Sequence, residues 1–203
     1  DRHLLNHGSR VSFYSTLVAN RLSLPLADQQ SLALGALVHD LDLIRLPDRH
    51  ALSGEIDRQT HRPDLGARMG RAMGLSADAV QIIALHHERW DGTGYPHGVK
   101  GHEIFLGARI VAVADAYDVI TSGRVYQKAK PAAQARREVA EQAGRQFDPA
   151  VARALMNVSL GKLRWATGPL AMLAEIPFIR GLPQTGRDIA AAFTELRLAV
   201  PRR

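Results

Sequence analysis

Apolar residues recur at spacings of three and four along most of this chain, the pattern of helices that bury one face. It is clear in "VSFYSTLVANRLSL" at 11–24 and in "QQSLALGALVHDL" at 29–41, where Asp28 is placed to act as the N-cap of the second helix. Further helices are expected at about 63–73, 76–88, 102–121, 131–144 and 148–160, separated by Gly, Pro and Ser. Strand alternation is absent, so the pattern predicts an all-α helical bundle. Glycine and proline recur in "GKLRWATGP" and "RGLPQTG", and the tail from Arg187 turns helical again. A soft boundary near residue 160 is therefore expected, dividing a main unit at 1–160 from a helical extension at 161–203.

Composition narrows the class. Of 203 residues, 46% are hydrophobic, enough for one buried core. There is no cysteine, so disulfide and thiolate chemistry are excluded and a metal site must use histidine, carboxylate, backbone or water. That fits a cytosolic chain. The most apolar stretch, "GPLAMLAEIPFI" at 168–179, falls short of the roughly 20 residues a membrane span needs and contains Glu175 and two prolines. The chain opens on Asp1 rather than methionine and is read as a piece of a longer protein.

The net charge of +6 is uneven, with 12 basic and 14 acidic groups over residues 1–123 against 14 and 6 over 124–203. Little aromatic interleaving accompanies the basic excess, and no nucleic-acid motif does, so a solvated helix face is the expectation and direct nucleic-acid binding is not. Histidine is skewed the other way: all nine lie at or before His102.

Seven residues draw the eye: His7, His39, Asp40, His61, His86, His87 and Asp115 each fall in or at the end of an expected helix. A bundle can aim side chains from several helices into one pocket, and nitrogen with carboxylate suits divalent iron, manganese or zinc. A single helical histidine is more often a core or surface group. Adjacent pairs are more informative, because helix neighbours point about 100° apart and do not normally serve one face. Two metals side by side resolve this, with "HD" at 39–40 and "HH" at 86–87 each handing one ligand to each ion and Asp40 bridging. Such a pair clamps a water, lowers its pKa and stabilises in-line attack on phosphorus.

These residues, with "RV" at 10–11, "HHERWDGTGYP" at 86–96, "ARIVAVADAYDVITSGRVY" at 108–126 and "FDPAVARAL" at 147–155, resemble the HD-GYP domain family. The resemblance runs in order over some three quarters of the chain. It implies a bacterial, cytoplasmic metallophosphohydrolase that cleaves cyclic di-GMP to pGpG or GMP, using two divalent ions, iron or manganese, and three in some members. His7, His39, Asp40, His61, His86, His87 and Asp115 would be the ligands. Asp40 would also orient the nucleophile. Tyr95 and Gly94 would line the substrate pocket and Arg124 would face a phosphate. An upstream sensor domain or a homodimer is the expected partner beside the nucleotide. "DG" and "GYP" are also ordinary turn chemistry, a reading compatible with the first.

Three departures from the family pattern stand out. Where the family has Gly and Lys after "HD" and one further residue, this chain has Asp42 and Leu43. Loss of one cation facing the phosphate can cost on the order of 3 kcal/mol, roughly a hundredfold in rate. Asp42 either approaches the metals, tightening them and weakening phosphate binding, or faces solvent. His3 stands where trinuclear members carry glutamate, and Gln127 where a basic residue is common. The passage from Asp40 to His61 is shorter than the family's, and His50, His97 and His102 are expected to be structural or exposed. A degenerate module that binds metal or ligand and signals by interaction is the alternative, and a nucleotidase acting on another phosphate ester is a third.

Overall fold

The computed structural model describes residues 2–45, 61–122 and 128–165. Arg124, Gln127, His50 and the extension beyond Trp165 lie outside the described residues, as does the side chain of His3. Among the described residues there are helices and no strands. In chain order they are α1 (Arg2–Arg21), α2 (Leu26–Leu37), α3 (Pro63–Ala72), α4 (Ala77–Leu85), α5 (Leu106–Ser122), α6 (Ala132–Glu141), α7 (Pro149–Met156) and α8 (Leu160–Trp165). Two 3-10 turns, Leu41–Arg45 and Gly101–Glu103, join them. No described helix is long and apolar enough to cross a membrane.

Local chemistry sets most of the boundaries. Ser76 caps α4 by accepting from the Ala79 N–H, and Asp148 caps α7 by accepting from the Ala150 N–H, with Pro149 at the first helical position. Asp28 is not the N-cap of α2. That helix starts at Leu26 behind Pro25, and Asp28 lies inside its first turn, where its charge complements the helix dipole. The helix expected at 76–88 ends at Leu85, and the one expected from 102 begins at Leu106 after a 3-10 turn.

α1 packs along α2 and α5, α3 packs on α4, and α4 bridges to α2 and α5. Val11, Tyr14 and Val18 repeat at the spacing that presents one face of α1, and all are buried against Ile110, Val111 and Ala114 of α5. A smaller apolar cluster gathers Val38, Leu41, Ala67, Ala79, Val80 and Ile83. Helix α4 serves both, with Ile82 in the first and Ile83 in the second. Gly8 allows α1 to approach α2 closely, since a Cβ there would run into the carbonyl oxygen of Leu37.

Candidate metal centre

The structure brings together all seven residues singled out in the sequence. α1 carries His7, and the turn after α2 carries His39 and Asp40. His61 precedes α3, His86 and His87 follow α4, and Asp115 lies on α5. They form two groups, each with potential ligand atoms within 4.8 Å of one another: His7, His39 and Asp115, then Asp40, His61, His86 and His87. Asp40 faces both. Its Oδ2 lies 3.7 Å from His7 Nε2 and 3.4 Å from His39 Nε2, while Oδ1 lies 3.3 Å from His61 Nε2 and 3.7 Å from His86 Nε2.

The expectation that each adjacent pair serves both groups holds for His39 and Asp40 but not for the histidine pair, whose members fall in one group. The physical reason is that α4 ends at Leu85. His86 is its C-cap and His87 lies in the turn beyond, so the 100° offset of helix neighbours does not apply. Their ring centroids are 4.2 Å apart.

Ring orientation suits a cation. His39 Nδ1 lies 2.8 Å from the carbonyl oxygen of Ala36, and His86 Nδ1 lies 2.9 Å from that of Ile83. A carbonyl only accepts, so each Nδ1 carries the hydrogen and each Nε2 presents a lone pair. Those two Nε2 atoms, and that of His61, are buried without a hydrogen-bond partner. Three orphaned imidazole nitrogens around a carboxylate are costly unless something electrophilic occupies the space between them. The donor set therefore fits divalent metal, and every ligand is nitrogen or oxygen.

His7 is held from behind. Its Nδ1 donates to Asp118 Oδ2 at 2.8 Å, and Arg10 grips the same carboxylate with Nε at 2.6 Å and Nη2 at 2.9 Å. Ser122 adds a hydrogen bond at 3.1 Å. A carboxylate behind a histidine fixes its tautomer and raises its basicity toward a metal. Sequence reading missed Asp118 and gave Arg10 no role. The signal was present in the spacing, because Asp118 follows Asp115 by three and Arg10 follows His7 by three, placing each on its neighbour's face.

The electrostatics split the histidines. Burial opposes a charge on His7, yet Asp115 and Asp118 override it and raise its pKa to about 10. Burial likewise opposes charge on His61, whose pKa is nonetheless raised by Asp42 and Asp40. His39 and His87 go the other way: burial lowers both, and neighbouring histidines add to it. Burial disfavours ionised Asp40 and Asp115, but the surrounding histidines hold both below the ordinary carboxylate range. Without metal, the proton on His7 and the raised proton affinity of His61 offset the charge of this anionic pocket. A divalent cation would take their place.

Beside the centre, the turn "DGTGYP" folds back on the end of α4. Tyr95 stacks on His87 with centroids 4.8 Å apart and planes 13° from parallel, and the Tyr95 N–H donates to the His87 carbonyl at 3.2 Å. The Tyr95–Pro96 peptide is cis. Gly94 lies so close to the Glu88–Arg89 backbone that a Cβ would come within 2.5 Å of Glu88 Cα. Glu88, also missed in the sequence, is buried, and its Oε1 accepts from the N–H groups of His97 and Gly98 at 2.6 and 3.1 Å. His97 and His102 are exposed as expected, the first 3.5 Å from Asp64 and the second edge-on to Trp90.

The departure that can be seen, at Asp42 and Leu43, is buried at both positions. Leu43 turns inward and offers no charge, and Asp42 lies against His61 rather than in solvent.

An all-helical bundle that gathers two histidine–carboxylate groups around one shared aspartate defines a metal-dependent phosphohydrolase of the HD type. Residues 1–151 match the HD domain family, and the chain belongs to it, in the HD-GYP branch. It is 32% identical over 166 residues to a cyclic di-GMP phosphodiesterase of Thermotoga maritima, covering 78% of this chain and 45% of that protein. A second such enzyme, PA4108 of Pseudomonas aeruginosa, is 37% identical over 164 residues, covering 77% and 39%. A 3'3'-cGAMP-specific phosphodiesterase of Vibrio cholerae is 29% identical over 161 residues, covering 74% and 30%. The chain thus spans less than half the length of these curated relatives. Its fold is shared with the crystal structure of a cyclic GMP-AMP-specific phosphodiesterase of V. cholerae, with a TM-score of 0.70 and 18% identity over 89% of this chain and 50% of that one.

Proposed function

We propose that this chain is the catalytic domain of a bacterial cytoplasmic phosphodiesterase that hydrolyses cyclic di-GMP to pGpG or GMP. The observation that supports this most is the position of Asp40, with one carboxylate oxygen toward each histidine group and the Nε2 atoms of His39, His61 and His86 around it unpartnered. His7, His39 and Asp115 would hold one ion, His61, His86 and His87 the other, and Asp40 would bridge them. Iron or manganese matches this nitrogen and oxygen set. When bound, such a pair supplies Lewis acidity and lowers the pKa of an attacking water.

The chain's own residues would then do three things. Asp118 and Arg10 hold His7 in the tautomer that offers Nε2 to the centre. Asp40 orients the attacking group between the two halves. Tyr95, stacked on His87, and Gly94 beside it form the wall on which a guanine base would lie, while Arg124 would meet a phosphate. The homologues named above include enzymes for cyclic di-GMP and for 3'3'-cGAMP, so the turnover assay sets the two substrates side by side.

The test is turnover of cyclic di-GMP and 3'3'-cGAMP by protein purified without oxygen and loaded with ferrous iron or manganese, with products resolved by chromatography and His86→Ala as control. Cleavage of cyclic di-GMP that vanishes in the control is expected. Preference for 3'3'-cGAMP would overturn the substrate assignment. A second reading, a binding module with little turnover, is favoured by buried Leu43 in place of the family lysine. Metal-loaded protein that binds cyclic di-GMP without cleaving it would establish that reading instead.

A further inference from the structure

Asp42 stands two positions after Asp40 in the 3-10 turn Leu41–Arg45 and is only 4% exposed. Its two oxygens have different surroundings. Oδ2 accepts the backbone N–H of Arg62 at 2.7 Å, which pins the carboxylate in place. Oδ1 is buried and has no hydrogen-bond partner. It lies 3.2 Å from His61 Nε2, near enough to favour charge on that ring but off the line of a full hydrogen bond. Asp40 Oδ1 lies 3.3 Å from the same nitrogen.

The oxygens of Asp40 and Asp42 thus both approach His61 Nε2, at 3.3 and 3.2 Å, neither in the alignment of a full hydrogen bond. Neighbouring ligands on a six-coordinate ion at about 2.1 Å are separated by about 3 Å, the spacing found here. We propose that Asp42 is an additional carboxylate ligand of the ion that His61 and Asp40 would hold. This rests on reading those residues as a metal centre. It assigns a role to a position where the family pattern has glycine, which has no side chain to coordinate. The added carboxylate gives this half of the centre a second hard oxygen donor and biases it toward manganese over softer ions.

Two measurements on the whole chain test it: anomalous diffraction from manganese-loaded wild-type crystals, and chelator-competition titration of manganese on wild type, Asp42→Asn and Asp42→Gly. Asp42 Oδ1 is expected about 2.0–2.2 Å from an ion. Asp42→Asn, which keeps an oxygen to accept the Arg62 N–H, is expected to weaken one site at least tenfold and leave the other unchanged. Manganese bound by His61 with Asp42 beyond bonding distance would overturn the proposal and leave the metal centre standing, as would unaltered affinities in both variants. Wild-type protein that binds no manganese would overturn both. Should the variants fail to fold, the wild-type crystals decide.

Discussion

Nδ1 of His7 and Oδ2 of Asp118 meet at 2.8 Å across α1 and α5, and Arg10 closes the other side of the same carboxylate. Through this contact Asp118 governs the centre without being a ligand. Asp118→Asn is expected to lower metal affinity by about 10- to 100-fold, the usual effect of losing a carboxylate behind a metal-binding histidine. Arg10→Ala removes the charged donor from one side of that buried carboxylate and leaves only His7 and Ser122, at a cost of about 1–3 kcal/mol. Chelator competition for the first and denaturant unfolding for the second are the measurements. Wild-type affinity in Asp118→Asn would remove Asp118 from the site.

Glu88 gives the next prediction. Its Oε1 accepts two N–H groups of the loop that carries Tyr95. Glu88→Ala leaves both donors without their partner, at about 1–3 kcal/mol. Amide exchange of His97 and Gly98 should accelerate in this variant, while that of the α5 amides should not.

Gly94→Ala is expected to be destabilising even though alanine normally favours order, because its Cβ would collide with the Glu88–Arg89 backbone. The strain should cost about 1–3 kcal/mol in thermal unfolding and displace Tyr95 from His87. Tyr95→Phe keeps the stacked ring and should keep metal affinity. A stable Gly94→Ala variant would mean that the turn relaxes more easily than its packing indicates.

Metal binding should strengthen as pH rises. His7, raised to about 10, carries a proton near neutrality in the metal-free protein, and His61 is raised in the same direction. A metal must displace that proton, so lowering the pH favours the protonated, metal-free form. Calorimetry in buffers of different ionisation enthalpy should therefore detect proton release at pH 7. At a free metal concentration about a hundredfold above the dissociation constant, stabilisation of about 2.7 kcal/mol is expected and should disappear on chelation.

Periodicity made the helices legible, and the histidine-rich spacing made the seven centre residues legible before any geometry was available. What it could not convey was direction. Nothing in the pattern marks Asp118 or Glu88, because an acidic residue on a helix or turn is usually solvated, and Asp42 reads equally as a group near the metals or one in solvent. Only the packing of α1 on α5, and of the residue-61 segment on the turn after Asp40, reveals that they are buried. The split of the histidine pair was misread for a related reason: a boundary three residues earlier than expected turned helix neighbours into turn neighbours. Leu43 is the reverse case, its lost charge plain in the sequence and its inward course visible only in the fold.

The two histidine groups rest on different foundations, one on α1, α2 and α5 and the other on α3, α4 and the turn that leads into them. Asp40 is the one residue of the set whose oxygens belong to both. A small rotation of α1 would shift His7 against Asp40 before it disturbed His61 or His86. Torque on the first helix would thus be transduced into a change in the alignment of the reacting pair, which makes this carboxylate the gauge of how the two halves are set relative to each other.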